Sequence, residues 1–147
     1  MAIAIQSEWA IGRTQTPTSR EAGGVVAQRF EATIDANMDV GDIVELAVLP
    51  AYHTVVDAIL DTDALGAGVN VDVGIMSGAV GDTGGTRTCG NELFSAQDAS
   101  AAAVVRASKS SAFTIAPAGA DRSIGVKVSA AVTAGSKKIA LTLLMVQ

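Results

Sequence analysis

The sequence predicts an all-β fold, an antiparallel β-sandwich or barrel-like domain with an extended N-terminal arm. Three observations point there. Hydrophobic residues make up 49% of the chain while aromatics are only 3%, so the core must be built from Val, Ile, Leu and Ala, many of them strand-preferring. Period-two alternation of apolar and polar residues dominates from Val25 onward. The chain has fifteen glycines and only 17% charged residues, which suits a compact body with tight turns. About seven strands separated by turn signals are the pattern of a sandwich or barrel.

Each element has its own reason. Residues 1–24 read as an arm: an apolar head of Ile3, Ile5, Trp9 and Ile11 is followed by a small, polar stretch from Thr14 to Gly24 that contains Pro17, the alternative being that Ile3 to Trp9 is a first strand folded onto its own sheet. Residues 25–147 read as the domain. Phe30, Ala32 and Ile34 alternate with Arg29, Glu31 and Thr33, a strand with one wet face. Asn37 to Gly41 turns the chain. Ile43 to Leu49 is apolar on both faces except at Glu45, and Pro50 ends it because proline cannot donate to a ladder. His53 to Asp61 is the next strand, Asp63 to Gly68 a connection, and Val69 to Ile75 a half-buried strand. Ser77 to Gly90 is a glycine-rich loop with little to pack. Between Asn91 and Ser110 the run Ala99 to Ala103, with Val104 and Val105, favours a short helix against serine-rich flanks. Phe113 and Ile115 start another strand. The strongest hairpin signal pairs Ser123–Thr133 with Lys137–Val146 around Ala134-Gly135-Ser136.

Charge and composition exclude several classes. The net charge is −5, and Lys137-Lys138 is the nearest approach to a basic cluster, so nucleic acid is not an expected partner. The start of the chain has no positive n-region, and Gln6 and Glu8 interrupt its apolar run, unlike a signal peptide. No stretch approaches about 18 uninterrupted apolar residues, so no membrane span is expected. A single cysteine, Cys89, cannot form an internal disulfide.

No catalytic constellation stands out. The one histidine, His53, precedes a strand and reads best as a residue bonded to backbone or water. Ser-His-Asp and Cys-His arrangements have no positional signature. The stretch Gly78 to Gly85 lacks the Gly-Lys-Ser/Thr ending of a phosphate loop. Asp61-Thr62-Asp63-Ala64-Leu65-Gly66 starts like a calcium loop, but Leu65 stands where an oxygen ligand is needed and Asp72 belongs to a strand. A weak surface site among Asp57, Asp61 and Asp63 is the alternative left open. There are too few His and Cys for zinc. No cofactor, metal or enzymatic activity is expected.

Several segments resemble a known group. They are Gly41 to Pro50, Thr54 to Asp61, Val71 to Gly78, Gly81-Asp82, Arg87-Thr88-Cys89-Gly90 and Ala120 to Lys127. In this order they are similar to a family of small virion structural proteins of tailed phages and prophages. The resemblance covers roughly residues 40–147. It implies a capsid decoration (cement) protein, a homotrimer bound to the major capsid protein on the outside of the head and assembled in the host cytoplasm. A tail, head-fibre or adhesin component, or a ligand-binding sandwich, are the alternatives. In that setting Ile3, Ile5, Trp9 and Ile11 are the expected partner contacts, with Trp9 as anchor. High apolar content also leads us to expect self-association, because Ala140, Leu144 and Val146 face away from Leu141 and Leu143 on the last strand.

Overall fold

The computed structural model describes residues 3–15 and 23–147. Among these described residues nine strands form two stacked sheets. They are β1 (Ile3–Gln6), β2 (Val25–Ile34), β3 (Ile43–Leu49), β4 (Thr54–Thr62), β5 (Asn70–Ile75), β6 (Phe94–Asp98), β7 (Ala103–Arg106), β8 (Arg122–Val128) and β9 (Lys137–Val146). Sheet A has the order β1-β3-β8-β5-β6 and sheet B the order β2-β9-β4-β7. Every pairing is antiparallel except β1 with β3. The fold is the β-sandwich the alternation predicts.

The core lies between the sheets. From sheet B, Phe30, Ile34, Leu60, Leu141 and Leu143 point inward; from sheet A, Val44, Leu46, Val71, Ile124 and Val126 meet them. Strand β3 is buried at all seven positions, as its two-sided apolar pattern requires.

The two outer faces differ. Sheet A carries a bare stripe where Gly125 pairs with Gly74. The chain from Met76 to Glu92 lies over it. A Cβ at Gly125 would stand 2.7 Å from Met76 Sδ and 2.9 Å from Ile43 Cγ2. One at Gly74 would stand 2.5 Å from the Gly90 carbonyl carbon and 2.7 Å from the Asn91 nitrogen. Gly74→Ala should therefore force backbone apart, costing about 3 kcal/mol, read as a lower melting temperature; an unchanged value would mean that the strap yields freely. Sheet B has no such cover among the described residues. Val25, Val56 and Val104 on its outer side are 57%, 42% and 70% exposed.

Several expectations are corrected. Ser123–Thr133 and Lys137–Val146 are not a hairpin: β8 lies in sheet A and β9 in sheet B. The connection crosses the sandwich, held by reciprocal backbone hydrogen bonds between Met38 and Val132, both 2.9 Å, and by Ala134 N donating to Asn37 Oδ1. Alternation reports which face a strand buries, not which strand it pairs with. The alanine run is no helix. Asp98 Oδ1 accepts from Ser100 N and turns the chain, and Val104 and Val105 pair with β4, so tertiary pairing overrides alanine's local preference. Ser110–Phe113 is a 3₁₀ turn instead of the start of a strand.

The head of the expected arm is also corrected. Residues Ile3–Gln6 are the edge strand of sheet A, parallel to β3. Ser7 N donates to the Glu45 carbonyl at 2.8 Å. Trp9 meets Phe30 edge-on, ring centroids 5.2 Å apart. This head packs on its own sandwich because burying Trp9 and Ile5 against the core removes apolar surface from water. Of the polar stretch Thr14 to Gly24, residues 16–22 lie outside the described residues.

Candidate functional site

The most concentrated polar chemistry is a buried cluster on the outer side of sheet A. It is centred on Glu45, the one polar residue in β3. The Glu45 carboxylate accepts four hydrogen bonds from three separate stretches of chain. Gln6 Nε2 donates from β1, and Ser123 Oγ from β8. Gly81 N donates at 3.0 Å and Arg87 Nη1 at 2.9 Å from the strap. Arg87 spends its other donors on the Ser77 carbonyl at 2.7 Å, the Asp82 carbonyl at 2.7 Å and Ser123 Oγ at 2.9 Å.

Both members of the ion pair are out of water, with side-chain exposures of 3% for Arg87 and 0% for Glu45. Planar, multidentate arginine suits such a place better than lysine. The segment read as a loop with little to pack is thus pinned by its arginine. Each buried side-chain nitrogen and oxygen of Glu45, Arg87 and Ser123 has at least one partner within the protein. The cluster is a clip. Glu45 was visible in the sequence as the break in an apolar strand; Arg87 gave no signal beyond its place in a resembling motif.

The other singled-out residues find structural roles. His53 is buried, its Nδ1 2.9 Å from the Ala51 carbonyl oxygen. Cys89 is half-buried, and burial pushes its thiol up to about 12, far from the reactive thiolate range. Asp72 faces outward and pairs with Lys127 at 3.3 Å. The three aspartates of the open metal alternative are separately engaged: Asp57 with Arg106 at 2.5 Å, Asp61 with Arg29 at 2.6 Å, and Asp63 with Lys138 N at 2.6 Å. No cluster of three potential metal ligands occurs among the described residues.

Asp57 gives the fold a defined response to acid. The Arg106 guanidinium, and then the Ala58 amide, hold its carboxyl below the ordinary value of 3.8. Its contribution is therefore present above that value and is lost as pH falls through the lower folded one. We expect Asp57→Asn to lower the melting temperature at neutral pH and to flatten its fall on acidification. A parallel acid limb in variant and parent would show that Asp57 carries no such linkage.

Of the expected partner contacts, Ile3 pairs with Ile43 in the β1–β3 ladder, and Ile5 and Trp9 pack against the core. Ile11 is different: it is 38% exposed. It lies on the rim of a concavity of about 840 Å³ whose walls include Trp9, Val48, Pro50, Val80 and Asp121.

A rigid sandwich whose interior polar groups are spent on holding it together is the architecture of a structural module. No family model and no curated protein matches the chain. Solved structures do. A chain in the structure titled "Capsid of Ralstonia phage GP4" is 50% identical, covers 97% of each chain, and superimposes with a TM-score of 0.91. A chain of the "Cyanophage Pam1 capsid asymmetric unit" shares the fold at 16% identity, with a TM-score of 0.63 over 93% of this chain and 94% of that one. The chain belongs to the family of phage virion structural proteins.

Proposed function

We propose that this chain is a capsid decoration (cement) protein that binds the outside of a phage head and stabilises it by bridging subunits of the major capsid protein. The observation that carries this reading is the asymmetry of the two outer faces. Sheet A is roofed by its own strap, whereas sheet B leaves Val25, Val56 and Val104 exposed, with Leu144 and Val146 half-buried between them. Exposed valines interspersed with the charged Arg29, Glu31, Asp61 and Lys138 give this face the mixed apolar and charged character that suits a protein neighbour. The 50% identity to a chain of a phage capsid supports that neighbour being a capsid subunit.

The mechanism is binding, with no catalytic step and no nucleic acid. Contacts to several subunits at once make release require several sites to open together. Ile11, on the rim of the concavity, is the member of the apolar head that this reading assigns to the capsid. The homotrimer and the assembly in the host cytoplasm are parts of the same proposal.

Electron microscopy of heads with and without this protein tests it. Difference density on the outer surface, bridging capsid subunits, is the expected result, with heads lacking it losing their genome at a lower temperature. Density on the tail or a fibre would reject the reading. Ile11→Asp should keep its melting temperature and bind such heads less.

A further inference from the structure

The four sheet edges are not alike. β1 and β7 are four residues long. β6 has five residues, a register break against β5, and Ala96 at φ 47°. Short or irregular edges discourage pairing with another chain. β2 does the opposite: it is ten residues long and runs against β9 from Val25 to Ile34 without a bulge.

Two hydrogen bonds show which of its groups face away from β9. The Ile34 carbonyl accepts from Gly135 N on the β9 side at 3.4 Å, while the Arg29 carbonyl, of opposite parity, accepts from the side chain of its neighbour, Gln28 Nε2, at 2.7 Å. In an antiparallel pair the N–H and C=O of one residue point the same way and alternate along the strand. Among the described residues no strand pairs with the other edge, which shares a concavity with residues 5–8 at its 31–33 end and presents Val25, Ala27, Arg29, Glu31 and Thr33. The same residues put their side chains on the outer face of sheet B, while Phe30, Ala32 and Ile34 face the core.

We infer that β2 is a self-complementary edge that pairs antiparallel with β2 of a second copy, Arg29 opposite Glu31 of that copy. The sequence singles out this register. In it, twofold symmetry makes two Arg29–Glu31 pairs, with Ala27 opposite Thr33 on each side. Moving the register one way sets Arg29 against Arg29, and the other way Glu31 against Glu31. Opposite charges across a ladder stabilise it and like charges oppose it, so the neighbouring registers are selected against. Within one chain Arg29 Nη1 already meets Glu31 Oε2 at 2.9 Å, at side-chain exposures of 43% and 35%, so pairing exchanges this contact for two symmetric ones between copies. Arg29 keeps Asp61 and Glu31 keeps Lys138 on their own sheet, so the pair completes an existing row of alternating charge. The two sheets B then form one continuous eight-stranded surface, outer faces on the same side. The contact is twofold, and so joins two units whatever their own symmetry.

Cysteine trapping of the full chain tests the pairing and its register. Residues opposed on a hydrogen-bonded pair have Cα atoms about 5.5 Å apart, within disulfide reach. Native Cys89, half-buried with its thiol raised to about 12, does not compete. A mixture of Ala27→Cys and Thr33→Cys proteins, oxidised at micromolar concentration, should give a covalent dimer, and each alone should give roughly tenfold less. Arg29→Glu and Glu31→Arg should each weaken dimer formation and the double variant should restore it, melting temperatures confirming that all are folded. The inference is overturned if the mixture gives no dimer, if single variants cross-link as well as the mixture, or if Ala27→Cys is captured only by the shell protein of intact particles.

Discussion

Arg87→Ala should lower stability by about 3–5 kcal/mol, the usual cost of stranding one partner of a buried ion pair. On a chain of this size that corresponds to a fall of roughly 10 °C or more in melting temperature. The reason lies in Glu45. With the guanidinium gone, its carboxylate stays at 0% exposure, left with Gln6, Ser123 and the Gly81 amide. The strap also loses its anchors at Ser77 and Asp82. Removing the charge at both ends separates these effects. Glu45→Gln combined with Arg87→Met should recover much of the loss, since replacing a buried pair by apolar or neutral groups is often close to neutral. If the double variant is no better than Arg87→Ala, the damage comes from the strap and not from the stranded charge.

Deleting residues 2–15 should also cost many degrees. The truncation removes β1 from the edge of sheet A, the Trp9 face from Phe30, and the Gln6 donor from Glu45. Trp9→Ala alone should cost about 2 kcal/mol, less than for a fully buried tryptophan because Trp9 is half-buried. A truncated protein that melts with its parent would return this segment to the role of a detachable arm. Differential scanning calorimetry decides between the two.

Much of the fold was legible in the residues. Phe30-Ala32-Ile34, the doubly apolar Ile43 to Leu49, and Val69 to Ile75 all form strands close to where alternation puts them. What alternation cannot carry is partnership. Ser123 to Val128 and Lys137 to Val146 are good strands separated by a good turn signal, yet Met38 claims Val132 and sends them into different sheets. Local preference misled at Ala99 to Val105, where pairing with β4 outweighs helix propensity. The head was misjudged for a similar reason: Ile3 to Trp9 look unattached until Phe30 and β3 are placed beside them. The clip was half legible. A glutamate inside an apolar strand announces a buried partner, but nothing local names Arg87, forty-two positions away.

The position of β9 has a consequence for how the chain is made. It fills the slot between β2 and β4, pairing with both along most of its length. Residues from Val25 onward therefore leave the ribosome long before the strand that joins them exists. Until Val146 emerges, β2 and β4 both lack their common neighbour, and the inner side of sheet B has no finished surface. Sheet A has no such dependence on β9, its five strands being complete once Val128 is out. Synthesis should thus proceed through a half-sandwich with exposed Val and Leu, and closure should be a late, slow event set by contacts between distant parts of the chain.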